Sequence, residues 1–217
     1  MTFAFCNIAN SFDDHISKSI ESYNILFSNV TSLADFFVLK NTVIVDVGSS
    51  TGKLLHSLKH KYTEYKIKFV GYECEEVFYE YYDDDIIKKQ NALLYNESNV
   101  CFCTCIFTLQ FLPIGERMNI LNNIYKSLLP GGGFIIAEKT NSGSYFDKIF
   151  QEILIEDKRK HFTDAELLDK NLSLRTMMRT VSNSDMVTML NLAGFIDVDI
   201  FYKDKAFTGY VCRKGIL

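Results

Sequence analysis

The stretch TVIVDVGSSTGKLL, residues 42–55, sets an acid (Asp46), two glycines (Gly48, Gly52) and three hydroxyls (Ser49, Ser50, Thr51) at the end of a β-branched apolar run. An apolar strand that opens into a glycine-bracketed loop and then a helix is a layout that receives nucleotide-like ligands, because backbone approaches a ligand closely only where no side chain intervenes. Three ligand classes make different demands on the spacing. A triphosphate-cradling loop needs four residues between its glycines and a hydroxyl after its lysine; here three residues separate Gly48 from Gly52, and Leu54 follows Lys53. A dinucleotide loop needs a middle glycine so that the pyrophosphate can come close, and Ser50 stands at that position.

The third class is S-adenosylmethionine, which carries a sulfonium cation and an amino-acid tail but no phosphate. It needs a tight turn beside the strand end rather than an anion nest, and Asp46-x-Gly48-x-x-x-Gly52 supplies one. Glu73, closing the next apolar run (IKFVGYE, 67–73), is placed to accept hydrogen bonds from ribose hydroxyls. Other reactive side chains receive plainer readings. Cys101, Cys103 and Cys105 alternate along one face of a strand, where zinc finds no fourth ligand, and read as small apolar filler. His56 and His60 share a helix face, but Ser57 stands where a zinc-protease motif has glutamate. The acidic stretch ECEEVFYEYYDDD (73–85) reads as an exposed helix face over an aromatic stripe, and DKRKH (157–161) as solvated basic surface. No metal site is expected.

These residues need a scaffold. VIVDV (43–47), IKFVGYE, VCFCTCIF (100–107) and GFIIAEK (133–139) read as strands buried on both faces. Helical patterns lie between them, most clearly at 116–129, where Met118, Leu121, Ile124, Tyr125 and Leu128 share a face and PGGG ends the run. The alternation predicts an α/β fold with a doubly wound parallel sheet. GFIDVDIFYKDKAFTGYVC (194–212) holds two strands with no room for a helix between them, hence an antiparallel hairpin at the sheet edge. A Rossmann-like sheet closed by an antiparallel C-terminal hairpin is similar to the class I methyltransferase fold. One domain is expected over 1–217, with a helical segment at 1–40 and a helical insertion at 140–193.

Composition agrees. With 47% apolar residues the chain can bury a full sheet, and a net charge of −4 argues against broad, direct nucleic-acid binding. No run of apolar residues is long enough for a membrane span, and the N-terminus lacks the basic region of a signal peptide. Six irregularly spaced cysteines read as free thiols of a cytoplasmic protein.

Two longer stretches carry a resemblance. FTLQFLPIGERMNILNNIYKSLLPGGGFIIAEK (107–139) closely resembles the carboxy-S-adenosylmethionine synthase family, methyltransferase-fold enzymes of tRNA wobble-uridine modification. FDDHISKSIESY (12–23) resembles that family's N-terminal segment, with Glu21 where proline is usual, and GSSTG resembles its GCSLG loop. The likeness covers most of the chain, with deletions near 1–12 and 78–95. FTLQFL is its specific part, whereas LLPGGG is common to many methyltransferases.

The resemblance implies that Tyr23 covers S-adenosylmethionine, that Gly48, Ser49 and Ser50 line its methionine end, and that Glu73 and Cys74 meet the ribose. Asn91 and Ala92 fall near the family's adenine-binding pair, and Ile106 takes the place of a family asparagine. The family joins S-adenosylmethionine to carbon dioxide released from prephenate, leaving phenylpyruvate and carboxy-S-adenosylmethionine. A family arginine pairs with the new carboxylate; Asn171 occupies its position here, and Arg175, one helical turn onward, can reach the same space. A homodimer is expected from the resemblance. Two other readings stand beside it: an S-adenosylmethionine-dependent methyltransferase on an unknown acceptor, and a non-catalytic binding protein that kept the fold.

Overall fold

The computed structural model describes residues 11–82, 85–141 and 143–216. Residues 1–10 of the expected N-terminal segment, and positions 83 and 84 of the acidic stretch, lie outside them. Among the described residues the strands are β1 (Val43–Val47), β2 (Lys68–Glu73), β3 (Ile87–Lys89), β4 (Val100–Ile106), β5 (Leu128–Asn141), β6 (Val181–Ser182), β7 (Asp197–Asp204) and β8 (Phe207–Arg213). The helices are α1 (Phe12–Ser19), α2 (Tyr23–Leu33), α3 (Lys53–Lys61), α4 (Ile114–Ser127), α5 (Tyr145–Arg159), α6 (Asp164–Leu174) and α7 (Asn183–Ala193).

The strands form one sheet in the order β3-β2-β1-β4-β5-β8-β7, with β6 paired to the end of β5. Pairing is parallel from β3 to β5, and β8 runs antiparallel to both β5 and β7, as the C-terminal sequence required. Every residue of β1 is buried, which is why its sequence is a continuous apolar run broken only by Asp46. Two cores flank the sheet. Leu121, Ile124, Met186 and Leu190 of α4 and α7 fill one side; Leu26, Val30, Leu55, Leu58 and Leu154 of α2, α3 and α5 fill the other. Chain direction across the sheet reverses between β1 and β4, and the crevice at the carboxyl ends of those strands is where open α/β sheets bind ligands.

Three local expectations change. The helix at 116–129 is instead Ile114–Ser127, and the LLPGGG run opens β5. Pro130 has no N–H to continue a helix, and Gly131 turns at φ +77°. The three cysteines of β4 do not share a face: a register shift between Val100 and Phe102 inserts an extra residue, so Cys101 packs with the α2/α3 core while Cys103 and Cys105 pack with the α4/α7 core. All three are fully buried filler. The acidic stretch after β2 is a 3-10 turn over Glu76–Tyr81 rather than an α-helix, but it keeps the expected arrangement, with Glu76 and Glu80 exposed and Phe78 buried beneath them.

Candidate functional site

A cavity of about 790 Å³ opens along the carboxyl ends of β2, β1, β4 and β5 and is roofed by α1 and α2. Its floor is the loop after β1. Gly48 and Gly52 adopt φ of +78° and +80°, the left-handed region that favours glycine. At Gly48 a Cβ would lie 2.0 Å from Thr108 Oγ1, so the β1 loop and the loop after β4 meet only because no side chain stands between them. Ser50, a non-glycine at φ +49°, is held there by its N–H, which donates to Glu73 Oε2 at 2.8 Å, and by its carbonyl, which accepts from Tyr82 at 2.5 Å. Gly52 does not line the cavity; it caps the start of α3.

Glu73 organises the β2 end. Its Oε1 accepts from the backbone N–H groups of Cys74 (2.8 Å) and Glu75 (2.9 Å), so both oxygens are engaged and the carboxylate faces the cavity in a fixed orientation. Burial raises its pKa despite those donors. Asp46 is fully enclosed, accepts from Thr104 Oγ1 at 2.6 Å, and burial pushes its carboxyl up to about 6. Ser49 donates from Oγ to the Asp46 carbonyl at 3.0 Å. This acid-rich end, with Asp13 against Thr51, suits a cation and hydroxyl donors.

The remaining residues singled out in the sequence reach the same cavity. Cys74, Asn91 and Ala92 line it beside Glu73, and Asn91 also caps the turn Ala92–Leu94 by accepting from Leu93 N–H at 2.9 Å. Ile106 lines it at the end of β4, and Tyr23 descends from α2 against Phe107. Burial, then the nearby Asp13 and Asp46, raise the Tyr23 pKa, so its hydroxyl stays neutral. Asn171 and Arg175 come together on the wall formed by α6 and its C-terminal end, where both are exposed.

Sequence reading missed two groups. The first fastens the FTLQF segment: Glu138 accepts from Leu109 N–H (2.7 Å) and Gln110 N–H (3.0 Å), and burial lifts its carboxyl to about 8. Arg117, 1% exposed, donates to the carbonyls of Leu112, Gln110 and Arg179, tying that segment to the chain after α6. The second is a set of lysines, Lys139, Lys158 and Lys170, that line the cavity with His15. Lys158 belongs to the DKRKH run read as solvated surface; Arg159 and Lys160 are exposed as expected, but helical phase turns Lys158 inward. A short basic run counted as a block hides such a difference. Among the described residues no group of His, Cys, Asp and Glu side chains could hold a metal ion.

No family model matches the chain. Carboxy-S-adenosyl-L-methionine synthase of Staphylococcus epidermidis is 30% identical over 98% of this chain and 96% of its own length. The enzymes of the same name from Histophilus somni and Alteromonas mediterranea are each 26% identical over 96% of this chain and 91% of theirs. Among solved structures, a SAM-dependent methyltransferase from Thermotoga maritima aligns with a TM-score of 0.63 at 15% identity, covering 97% of this chain and 98% of that one. Human N-acetylserotonin methyltransferase in complex with SAM aligns at 0.60 and 18% identity, over 90% of this chain and 53% of that one. These structures share the fold.

Proposed function

The chain belongs to the carboxy-S-adenosyl-L-methionine synthase family, and from that premise we propose that it converts S-adenosylmethionine and prephenate into carboxy-S-adenosylmethionine and phenylpyruvate. It is an S-adenosylmethionine-dependent transferase, and S-adenosylmethionine supplies the activated methyl carbon. The observation that carries the reading is the division of one cavity into an acidic end at β1 and β2 and a cationic end at β5, α5 and α6.

The residues fit the cofactor. In this reading Glu73 receives the ribose hydroxyls with the lone pairs its backbone donors leave free. Gly48, Ser49 and Ser50 line the methionine end, Asp46 lies beneath it, and Gly52 sets the start of α3. Cys74, Asn91 and Ala92 border the nucleoside. Tyr23 and Ile106 close the site against water, which would otherwise compete for the reacting carbon. Asn171 and Arg175 meet the carboxylate of the product. An amide donates without supplying charge, and that substitution favours a second reading, a methyltransferase acting on another acceptor. The whole chain acts as one unit, and as a homodimer, in the cytoplasm, with a product destined for tRNA modification.

Incubation with S-adenosylmethionine and prephenate should release phenylpyruvate only when both are present. A protein that binds S-adenosylmethionine yet leaves prephenate unchanged overturns the synthase reading. Sedimentation at micromolar concentration showing only a single-chain species overturns the dimer.

A further inference from the structure

Lys139 enters the cavity from the end of β5, Lys158 from α5 and Lys170 from α6. β5 lies three strand spacings from β2, roughly 14 Å, so this end is well separated from Glu73. The three ammonium groups lie close enough that Lys170 is acted on by Lys158 and Lys139, and Lys158 by Lys139. None has a carboxylate partner among the described residues. Lys139 donates to the amide oxygen of Gln151 at 3.1 Å, and Lys170 lies 2.6 Å from His15 Nε2 and 3.0 Å from Ser19 Oγ. Lys158 lines the same cavity, and among the described residues it forms no side-chain hydrogen bond.

Lys203 and Lys214 likewise bond only hydroxyl or carbonyl oxygens, but singly, and other lysines share acids. Lys68 and Lys88 share Glu97, and Lys160 and Lys205 share Asp157. Three half-buried lysines without an acid cost desolvation and mutual repulsion, and burial with that repulsion pulls Lys158 down to about 8 and Lys170 to about 7. An anionic ligand seated between the three lysines would offset both costs. α1 contributes His15 and Ser19 beside the cluster, and apolar side chains such as Ile16, Leu174 and Phe207 line the cavity along with it. Three cations beside apolar side chains suit a small molecule with a hydrocarbon body and two negative groups.

We propose that Lys139, Lys158 and Lys170 form the subsite for the carboxylates of the second substrate, a small dicarboxylate, and so supply the positive charge that Asn171 does not. The identity of that dicarboxylate as prephenate rests on the proposed function; the subsite itself rests on the unpaired lysines.

The test is calorimetry on the full chain saturated with S-adenosylhomocysteine, which has no methyl to react. The probes are prephenate, with two carboxylates, and phenylpyruvate, with one. The unmutated protein should bind prephenate at least tenfold more tightly. Lys158→Met and Lys170→Met should each weaken prephenate tenfold or more and narrow the gap between the probes, while Lys158→Arg keeps most of the affinity. S-adenosylhomocysteine should bind all the proteins alike, and without ligand Lys158→Met should melt no lower than the parent, since it removes an unpaired buried charge. Unchanged prephenate affinity in both methionine variants, or equal binding of the two probes by the parent, overturns the subsite. Prephenate binding through the lysines without formation of a carboxylated product leaves the subsite standing and overturns the proposed reaction instead.

Discussion

Glu73 shows how one side chain serves both structure and ligand. Three backbone N–H groups converge on its carboxylate, one of them from Ser50 in the glycine loop, so its loss removes a ribose acceptor and loosens the loop together. Glu73→Ala should weaken S-adenosylhomocysteine by roughly 1.5–3 kcal/mol, the range for charge-assisted hydrogen bonds; titration giving unchanged affinity would remove Glu73 from the site. Asp46 is the opposite case, a charge the fold does not favour. Its folded pKa of about 6 lies above the unfolded value, so the protonated form is stabilised and that stability is lost as pH rises through 6. Asn at this position keeps an acceptor for Thr104. Asp46→Asn should therefore melt higher than the parent at pH 8, by a margin on the order of 2–3 kcal/mol, with the advantage gone below pH 4. Equal melting at both pH values would mean Asp46 is not paying a burial cost. Arg175 ranks lower. Its exposure limits Arg175→Ala to roughly 1 kcal/mol against the carboxylated ligand, less than a buried partner would lose.

At the scale of elements, the site depends on how β5 and the loop after β4 are locked together. Glu138 holds that loop from β5, Gln110 Oε1 of the loop accepts from the Lys139 N–H of β5, and Arg117 carries the connection on to Arg179 beyond α6. Arg117→Met takes a donor from three carbonyls, although that of Gln110 keeps the Arg179 N–H, and should destabilise the fold by roughly 1–3 kcal/mol, measured by urea unfolding; a loss within experimental scatter would deny the tie its role. Much of this scale was legible beforehand. Strand runs, the doubly wound order and the closing hairpin all follow from apolar periodicity and from the missing room between β7 and β8. The glycine loop and Glu73 were legible for the same reason, since their spacing is local. What periodicity cannot register is one extra residue, and the bulge at Cys101 moved that side chain to the opposite core. Nor does a composition count register phase: Lys158 sits between charged neighbours in sequence but turns away from them on α5. Glu138 and Arg117 were hidden because their partners are backbone groups brought near only by the fold.

Across the whole molecule the cavity is polar in the electrostatic sense, with Asp46 and Glu73 toward one end and Lys139, Lys158 and Lys170 toward the other. His15 and Asp14 of α1 and Glu166 of α6 act in the same field as the lysines. A dianion favours the ammonium forms of Lys158 and Lys170, which hold their protons near 8 and 7 without it. Binding at pH 8 should then take up protons, and affinity should fall as pH rises further. Binding enthalpies that do not vary among buffers of different ionisation enthalpy at pH 8 would contradict this. The central claim, that carbon from the dicarboxylate ends on the S-adenosylmethionine methyl, is tested most directly by isotope. Prephenate labelled with carbon-13 in the carboxyl group on its ring should be incubated with S-adenosylmethionine and the protein, and the nucleoside products read by mass spectrometry. The account predicts carboxy-S-adenosylmethionine carrying the label, formed one for one with unlabelled phenylpyruvate. Label absent from the nucleoside while prephenate is consumed, or S-adenosylhomocysteine as the product, would contradict it.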